Sequence, residues 1–465
     1  MSIHRSSPGE AHPASHSAHP VSPPRTVWRT EPEIDDTRQQ FLRQRLSVPP
    51  DIQRGIYPFS EVKLTRADIE WLLVMHEHGR GPVEWSNEEQ RERQGIDVRG
   101  ADLRRVNLRD LPLARLCGGL TKEEWIATTI EQRTLVGVHL EHADLSRAHL
   151  EGALLRGAFL QGATLRSTHL EEATLFQAHL EQTYLRDAHL EGANMISVSL
   201  EGAYIRKGWL TGADLRRAIC DNTTILEKVS FSDKKWGCIR LADVRWGDCN
   251  LAVLDWKRAV PLGDERVARA FSVRDDGKKS AREKQHHLDA YQTAARANRQ
   301  LANTMRAQGM NDEAISFAYR AQVLQRAVLW RHLLWGTEDF LVERDTQHGL
   351  RANMNEVWRR VRVGGSYLFS WFLDILAGYG YKPERSVGIY LLTILSFTLF
   401  YLFTGALPLR EALVFSVTAF HGRGFLIGPF TLASPVTAFA ALEAVIGLFI
   451  EISFIATFTQ RFFGR

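Results

Sequence analysis

From Leu140 to Ile225 every fifth residue is apolar, and neither a helix nor a strand has that period. The centres run Leu140, Leu145, Leu150, Leu155, Leu160, Leu165 and onward through Met195, Ile205, Leu215 and Cys220. Two residues before each centre sits a small residue, as at Ala143, Ala148, Ala153, Ala158, Ala163 and Ala173. An α-helix would scatter such positions around its circumference and bury no stripe. The chain must therefore turn a corner every five residues and send one large and one small side chain inward. The run resumes one residue out of register as Phe231, Trp236, Leu241, Trp246, Leu251 and Trp256. A shorter run precedes it at Val98, Leu103, Leu108 and Leu113, and residues 114–134 interrupt around Thr121-Lys-Glu-Glu-Trp125.

Ala101-Asp-Leu103, Ala143-Asp-Leu145 and Ala213-Asp-Leu215 carry the motif A(D/N)LxX, so residues 96–260 resemble the pentapeptide-repeat family. The resemblance implies a right-handed quadrilateral pentapeptide β-helix with four pentapeptides per coil. A period of ten is superimposed, as His139-Leu-Glu141, His149-Leu-Glu151, His169-Leu-Glu171, His179-Leu-Glu181 and His189-Leu-Glu191. With twenty residues per coil, His149, His169 and His189 stack on one face. His139 and His179 lie on the opposite face with Phe159 between them. A pH-sensing or metal ladder is one reading, and a solvated charge-balanced face is the other.

The rest of the 465 residues divide by composition. Residues 1–26 are rich in Ser, His and Pro and read as a disordered tail without a cleavable signal pattern. Its His4, His12, His16 and His19 bind metal adventitiously or are simply solvated. Residues 27–95 read as a helical N-terminal cap, with helix starts at Thr65-Arg-Ala-Asp68 and Ser86-Asn-Glu-Glu89. Residues 264–345 switch to helical spacing and read as a tetratricopeptide-like hairpin broken at Gly309. Residues 346–386 read as a linker and an interfacial helix, aromatic and apolar around the single acid Asp374.

Residues 387–465 read as a two-span membrane module. Val387–Leu407 carries no charge and is long enough to cross a bilayer. Pro435–Gln460 is broken only by Glu443 and Glu451. Arg359, Arg360, Arg362, Lys382 and Arg385 before the first span, and Arg461 and Arg465 after the second, place both termini in the cytoplasm of a multi-pass inner-membrane protein. Between the spans, Leu409–Thr418 is an apolar helix too short to cross, and Ala419-Phe-His-Gly-Arg-Gly-Phe425 follows it. The run Glu411-Ala-Leu-Val-Phe-Ser-Val-Thr418 resembles the pore helix of two-transmembrane potassium-channel-like proteins, and Ala377-Gly-Tyr-Gly-Tyr-Lys-Pro383 looks like the phrase before their first span. By that resemblance Thr418, Phe420, His421, Gly422, Arg423, Gly424 and Phe425 form the pore loop and filter of a bacterial homotetramer. The filter departs from T-x-G-(Y/F)-G, and Arg423 in a ring would repel cations. A potassium-selective pore, a non-selective or anion-tolerant pore and a non-conducting fold stay open. Gly447 is a gate hinge or a close-packing glycine, and Glu451 is a functional intramembrane acid or an interhelical bonding group.

The expected fold class is thus mixed: the β-helix, the hairpin and the two-span α-helical pore module. The expected function is a membrane ion channel regulated by the repeat domain. Its alternative is a non-conducting, membrane-anchored repeat scaffold for protein–protein interaction. The implied partners are the lipid bilayer, permeating ions, sister subunits and an unknown cytoplasmic protein. Nucleic acid is excluded, because residues 137–228 hold twelve acids and nine Lys/Arg, too mild a balance for mimicry of a polyanion. The four cysteines include no CxxC pair, and no nucleotide loop, HExxH or nucleophile elbow occurs. No enzyme, cofactor or metal is therefore expected.

Overall fold

The computed structural model describes residues 28–52, 54–270, 281–335, 350–404, 407–422 and 435–462. The elements are α1 (Asp36–Leu46), α2 (Arg66–Gly79), α3 (Lys122–Ala127), α4 (Ile130–Val136), β1 (Tyr204–Arg206), β2 (Ile225–Glu227), α5 (Gly263–Ala270), α6 (Ala281–Ala307), α7 (Asn311–Trp335), α8 (Leu350–Ala377), α9 (Pro383–Phe403), α10 (Leu409–Phe420) and α11 (Pro435–Phe462).

The expected quadrilateral β-helix is corrected. Among the described residues, regular strand is confined to β1 and β2, which pair in parallel as one open two-stranded sheet. The other elements are helices. The period-five segment is instead a stack of turns joined by isolated single-residue parallel bridges. These recur mostly twenty residues apart, as at His149↔His169, Leu154↔Thr174, Phe159↔His179 and Thr164↔Tyr184. The reason lies at the corners. The residue two after each centre has positive φ: His142, Arg147, Gly152, Gly157, Gly162, Ser167, Glu172 and Gln177 follow one another at that spacing. A left-handed residue every five positions ends the extended backbone before a strand can form. Six of these corners between 152 and 212 are glycine, where the conformation costs least.

Inside the stack the centres and their small companions are sealed. Leu140, Leu145, Leu150, Ala143, Ala148 and Ala153 are all fully buried. One apolar cluster runs from Leu42 of α1, Leu64 just before α2 and Leu72 of α2, through the column of leucines, to Leu301, Met305 and Phe317 of α6 and α7. Both ends of the stack are therefore covered. Thr65 caps α2 with a full capping box to Asp68. The second expected start shifts by one residue: Asn87 caps a single 3-10 turn at Glu88–Gln90. Thr121 and Thr129 box-cap α3 and α4, the helices that interrupt the repeats.

At the far end α6 replaces the missing next turn. Gln300 accepts from the Asp243 amide at 3.0 Å and donates to its carboxylate at 3.2 Å. Gln308 accepts from the Leu251 amide at 2.9 Å and donates to the Cys249 carbonyl at 2.7 Å. The open backbone edge of the last turn is thus satisfied by side-chain amides. Trp256 meets Phe317 edge to face at 6.0 Å beneath them.

Candidate functional site

The C-terminal helices α9, α10 and α11 pack on one another, and α10 is wedged between the two long ones. α9 and residues 436–459 of α11 are long and apolar enough to cross a membrane. They are also mostly unburied, with Leu392, Leu395, Phe403, Leu448, Phe449 and Ile455 exposed. A soluble core helix of that composition would be covered.

Glu443 of α11 is fully buried. It accepts a hydrogen bond from Tyr401 of α9 at 2.8 Å and another from Ser416 of α10. Ser416 also contacts the Ile394 carbonyl at 3.1 Å. One carboxylate therefore ties all three helices together by bonds that need no water. In the sequence Glu443 stands only as a break in an apolar run. An acid in such a run, with Ser416 and Tyr401 in the neighbouring apolar helices, is the signal that could have found it.

The residues singled out from sequence are partly brought together. His421 Nδ1 pairs with Glu451 across α10 and α11. Tyr390 lies edge to face with Phe420 at 4.8 Å, and its hydroxyl is 3.4 Å from His421 Nε2. Phe420 is buried, while Thr418 turns its hydroxyl back to the Val414 and Phe415 carbonyls at 2.9 Å. Gly422 takes a positive φ of 66° at the end of α10. Arg423, Gly424 and Phe425 lie outside the described residues.

Gly447 packs against the end of α10. A Cβ placed there would stand 2.1 Å from the Phe420 carbonyl oxygen and 2.9 Å from its carbon. The neighbour is backbone and cannot swing aside. Gly447→Val is therefore expected to destabilise the three-helix unit by about 1–3 kcal/mol through overpacking. Thermal unfolding in detergent should show a clearly lower midpoint, and an unchanged midpoint would count against this packing.

A second polar centre joins the anchor to the body. Asp374 of α8 is buried. It accepts from Tyr319 at 3.0 Å and Arg326 at 2.6 Å, both of α7, and from Arg385 of α9 at 3.0 Å. Arg385 reaches the Asp374 carbonyl as well, at 2.9 Å. The elbow between α8 and α9 supplies more contacts. Tyr379 bonds Ser370 at 2.8 Å, Lys382 lies 4.3 Å over the Tyr319 ring, and Arg306 donates to Tyr381 at 3.2 Å. Gly378, Tyr379 and Gly380 all have positive φ, so the two glycines make the sharp reversal feasible. The Ala377–Pro383 phrase is thus a docking elbow.

On the repeat stack the histidines fall where the twenty-residue coil places them. His149 stacks on His169 at 4.8 Å, His169 on His189 at 4.7 Å, and His189 on Trp209 at 4.2 Å. On the opposite face Phe159 lies between His139 and His179 at 4.7 and 5.1 Å. Each His directs Nδ1 at the Glu two residues on, at distances from 2.9 Å in His149–Glu151 to 3.3 Å in His189–Glu191.

The hydrogen bond that His179 donates to Glu181 lifts its imidazole above the usual range. Burial pushes the Glu181 carboxyl up, but the His179 bond, its own backbone amide and Ser199 outweigh it and hold it low. A raised His contributes stability that is complete below its unfolded value of about 6.5 and lost as pH rises through the folded one. A lowered Glu contributes stability that is present above about 4.3 and lost as pH falls. The stack is therefore expected to be most stable between about pH 5 and 6. Denaturant midpoints measured across pH should fall toward about pH 8, and His179→Gln should lessen that fall.

The four cysteines are buried, and burial pushes all their thiols up, Cys238 and Cys249 to about 11. None is an activated nucleophile at neutral pH.

Residues 135–171 and 173–208 match the model for pentapeptide repeats in eight copies. This segment of the chain carries pentapeptide repeats. Among solved structures, the chain is similar to the pentapeptide repeat protein Rfr23 of the cyanobacterium Cyanothece 51142, at 27% identity, covering 32% of this chain and 90% of that one, with a TM-score of 0.20. It is also similar to HetL of Nostoc sp. strain PCC 7120, described as involved in heterocyst differentiation regulation, at 19% identity, 34% and 77% coverage and a TM-score of 0.20. A thylakoid-lumen pentapeptide repeat protein of Arabidopsis thaliana matches at 24% identity, 29% and 72% coverage and a TM-score of 0.10. No curated protein matches the chain.

The ion-channel and potassium-channel-like expectation is corrected on these findings. The family match ends at residue 208 and does not reach the apolar helices. What the described residues provide there is two apolar helices and a wedge. The same layout of span, short helix and span serves a packing wedge, because Ser416 and Glu443 satisfy each other inside it.

Proposed function

We propose that the chain is a non-conducting scaffold anchored in a membrane by α9 and α11, which holds its repeat stack at the bilayer surface for a protein partner. The observation that carries this reading is the Asp374 centre, which fixes the hairpin to the first apolar helix through buried charge. A rigid joint suits presentation of a surface. The exposed Leu368, Phe369, Phe372 and Ile375 of α8 suit a helix lying in the headgroup layer beside the anchor. The basic residues flanking the two apolar helices favour both termini on the cytoplasmic side. The repeat faces offer Tyr184 and Ile225 as exposed apolar contacts.

The test takes the full chain. Membranes from expressing cells are washed in alkaline carbonate, and purified protein is reconstituted in liposomes with potassium, sodium and chloride gradients. Retention in the pellet with flux no greater than in empty liposomes supports the scaffold. Release by carbonate removes the anchor. Flux whose ion preference changes in Arg423→Ala overturns the non-conducting reading.

A further inference from the structure

We propose that His149, Glu151 and His169 form a binding site for one divalent transition-metal ion of the zinc class. Their ligand atoms lie within 4.8 Å of one another. Two further facts point to a ligand there. The Oε2 of Glu151 is buried without a hydrogen-bond partner, as it is in Glu141, Glu171, Glu181, Glu191 and Glu201, but of these six only Glu151 is itself buried, at 5% exposed, while its Oε1 bonds His149 Nδ1 at 2.9 Å. A buried carboxylate with one oxygen unsatisfied is costly unless a cation completes it. The His149 side chain is 51% exposed, so an ion meets its ring directly from solvent.

The donor set is two imidazoles and one carboxylate, which suits zinc and its neighbours in the first transition row better than calcium or magnesium. The imidazoles bind an ion only as neutral ligands, so a proton held on either ligating nitrogen leaves to solvent as the ion binds. The scaffold fixes the register, because the His149↔His169 bridge sets the two donors one coil apart. A neighbouring group, His169 with Glu171 and His189, shares His169, so one ion per chain is the expected load. The opposite face supplies an internal control. There Phe159 separates His139 from His179, and the pair cannot share an ion.

The experiment is a titration of chelator-stripped, full-length protein in detergent with Zn²⁺ against a chromophoric competitor. The four tail histidines, His4, His12, His16 and His19, are replaced by alanine in every sample. One equivalent is expected to bind, with affinity falling at least about tenfold in His169→Ala and in Glu151→Gln. His139→Ala combined with His179→Ala should leave the titration unchanged. Glu151→Gln preserves shape and decides the matter if His169→Ala does not fold. No binding in the parent, or equal binding in Glu151→Gln, overturns the site.

Discussion

Asp374→Ala lowers the stability of the junction between body and anchor by about 3 kcal/mol, the lower end of what breaking a buried ion pair costs. The alanine leaves Arg326, only 17% exposed, without its 2.6 Å partner. It also frees Arg385 and the Tyr319 hydroxyl. Arg385 is 39% exposed and recovers water, which keeps the loss from the top of the range. The effect is local to the contact of α7 with α8 and α9. Limited proteolysis should therefore cut near the elbow at 378–382 in the variant and not in the parent, while the repeat stack stays resistant. Asp374→Asn keeps the shape and one acceptor oxygen and should fall between. Equal cleavage in all three proteins would mean that the clamp contributes nothing to the joint.

The second large effect belongs to the core of the stack. Leu170→Ala is expected to destabilise it by about 3–5 kcal/mol, the upper part of the range for such truncations. Leu170 is buried between Leu150 below and Leu190 above, all at 1% exposure or less. The cost is high because the cavity cannot close. The Leu170 amide is bonded to His189 at 2.7 Å and the Leu150 amide to His169 at 2.7 Å, so the coils cannot approach each other. Urea unfolding followed by circular dichroism should show a lower midpoint at unchanged slope. A shift worth less than about 1 kcal/mol would mean that the column relaxes into the cavity.

Much of the site geometry was legible from the ten-residue spacing once the pentapeptide-repeat resemblance supplied a coil of twenty residues. A ten-residue phrase on a twenty-residue coil must put His149 over His169 and Phe159 between His139 and His179, whatever the side chains do. The secondary structure of the same segment was not legible. Corner residues such as His142, Arg147, Glu172 and Gln182 are not turn formers by type, yet all hold positive φ. Their conformation is imposed by the coil above and below, and it breaks the walls into single bridges. The membrane segment misled for a related reason. A short apolar helix between two spans reads the same whether it lines a pore or wedges a packed unit. The apolar pattern singles out Glu451 as the intramembrane acid, while Glu443, with both oxygens engaged, holds the three helices.

By itself the sequence determined the inward set of the repeats, the ten-residue spacing of the His-Leu-Glu phrases, the break at Gly309 and the two apolar helices. Each is a property of local period or composition, which a single chain segment carries within itself. Only the tertiary structure decided that Gln300 and Gln308 finish the last turn, that Asp374 gathers Tyr319, Arg326 and Arg385, and that Gly447 seats the Phe420 carbonyl. These are meetings between residues far apart in the chain. Their energy comes from burying a polar group against the one partner that satisfies it, and no local pattern records which partner that will be.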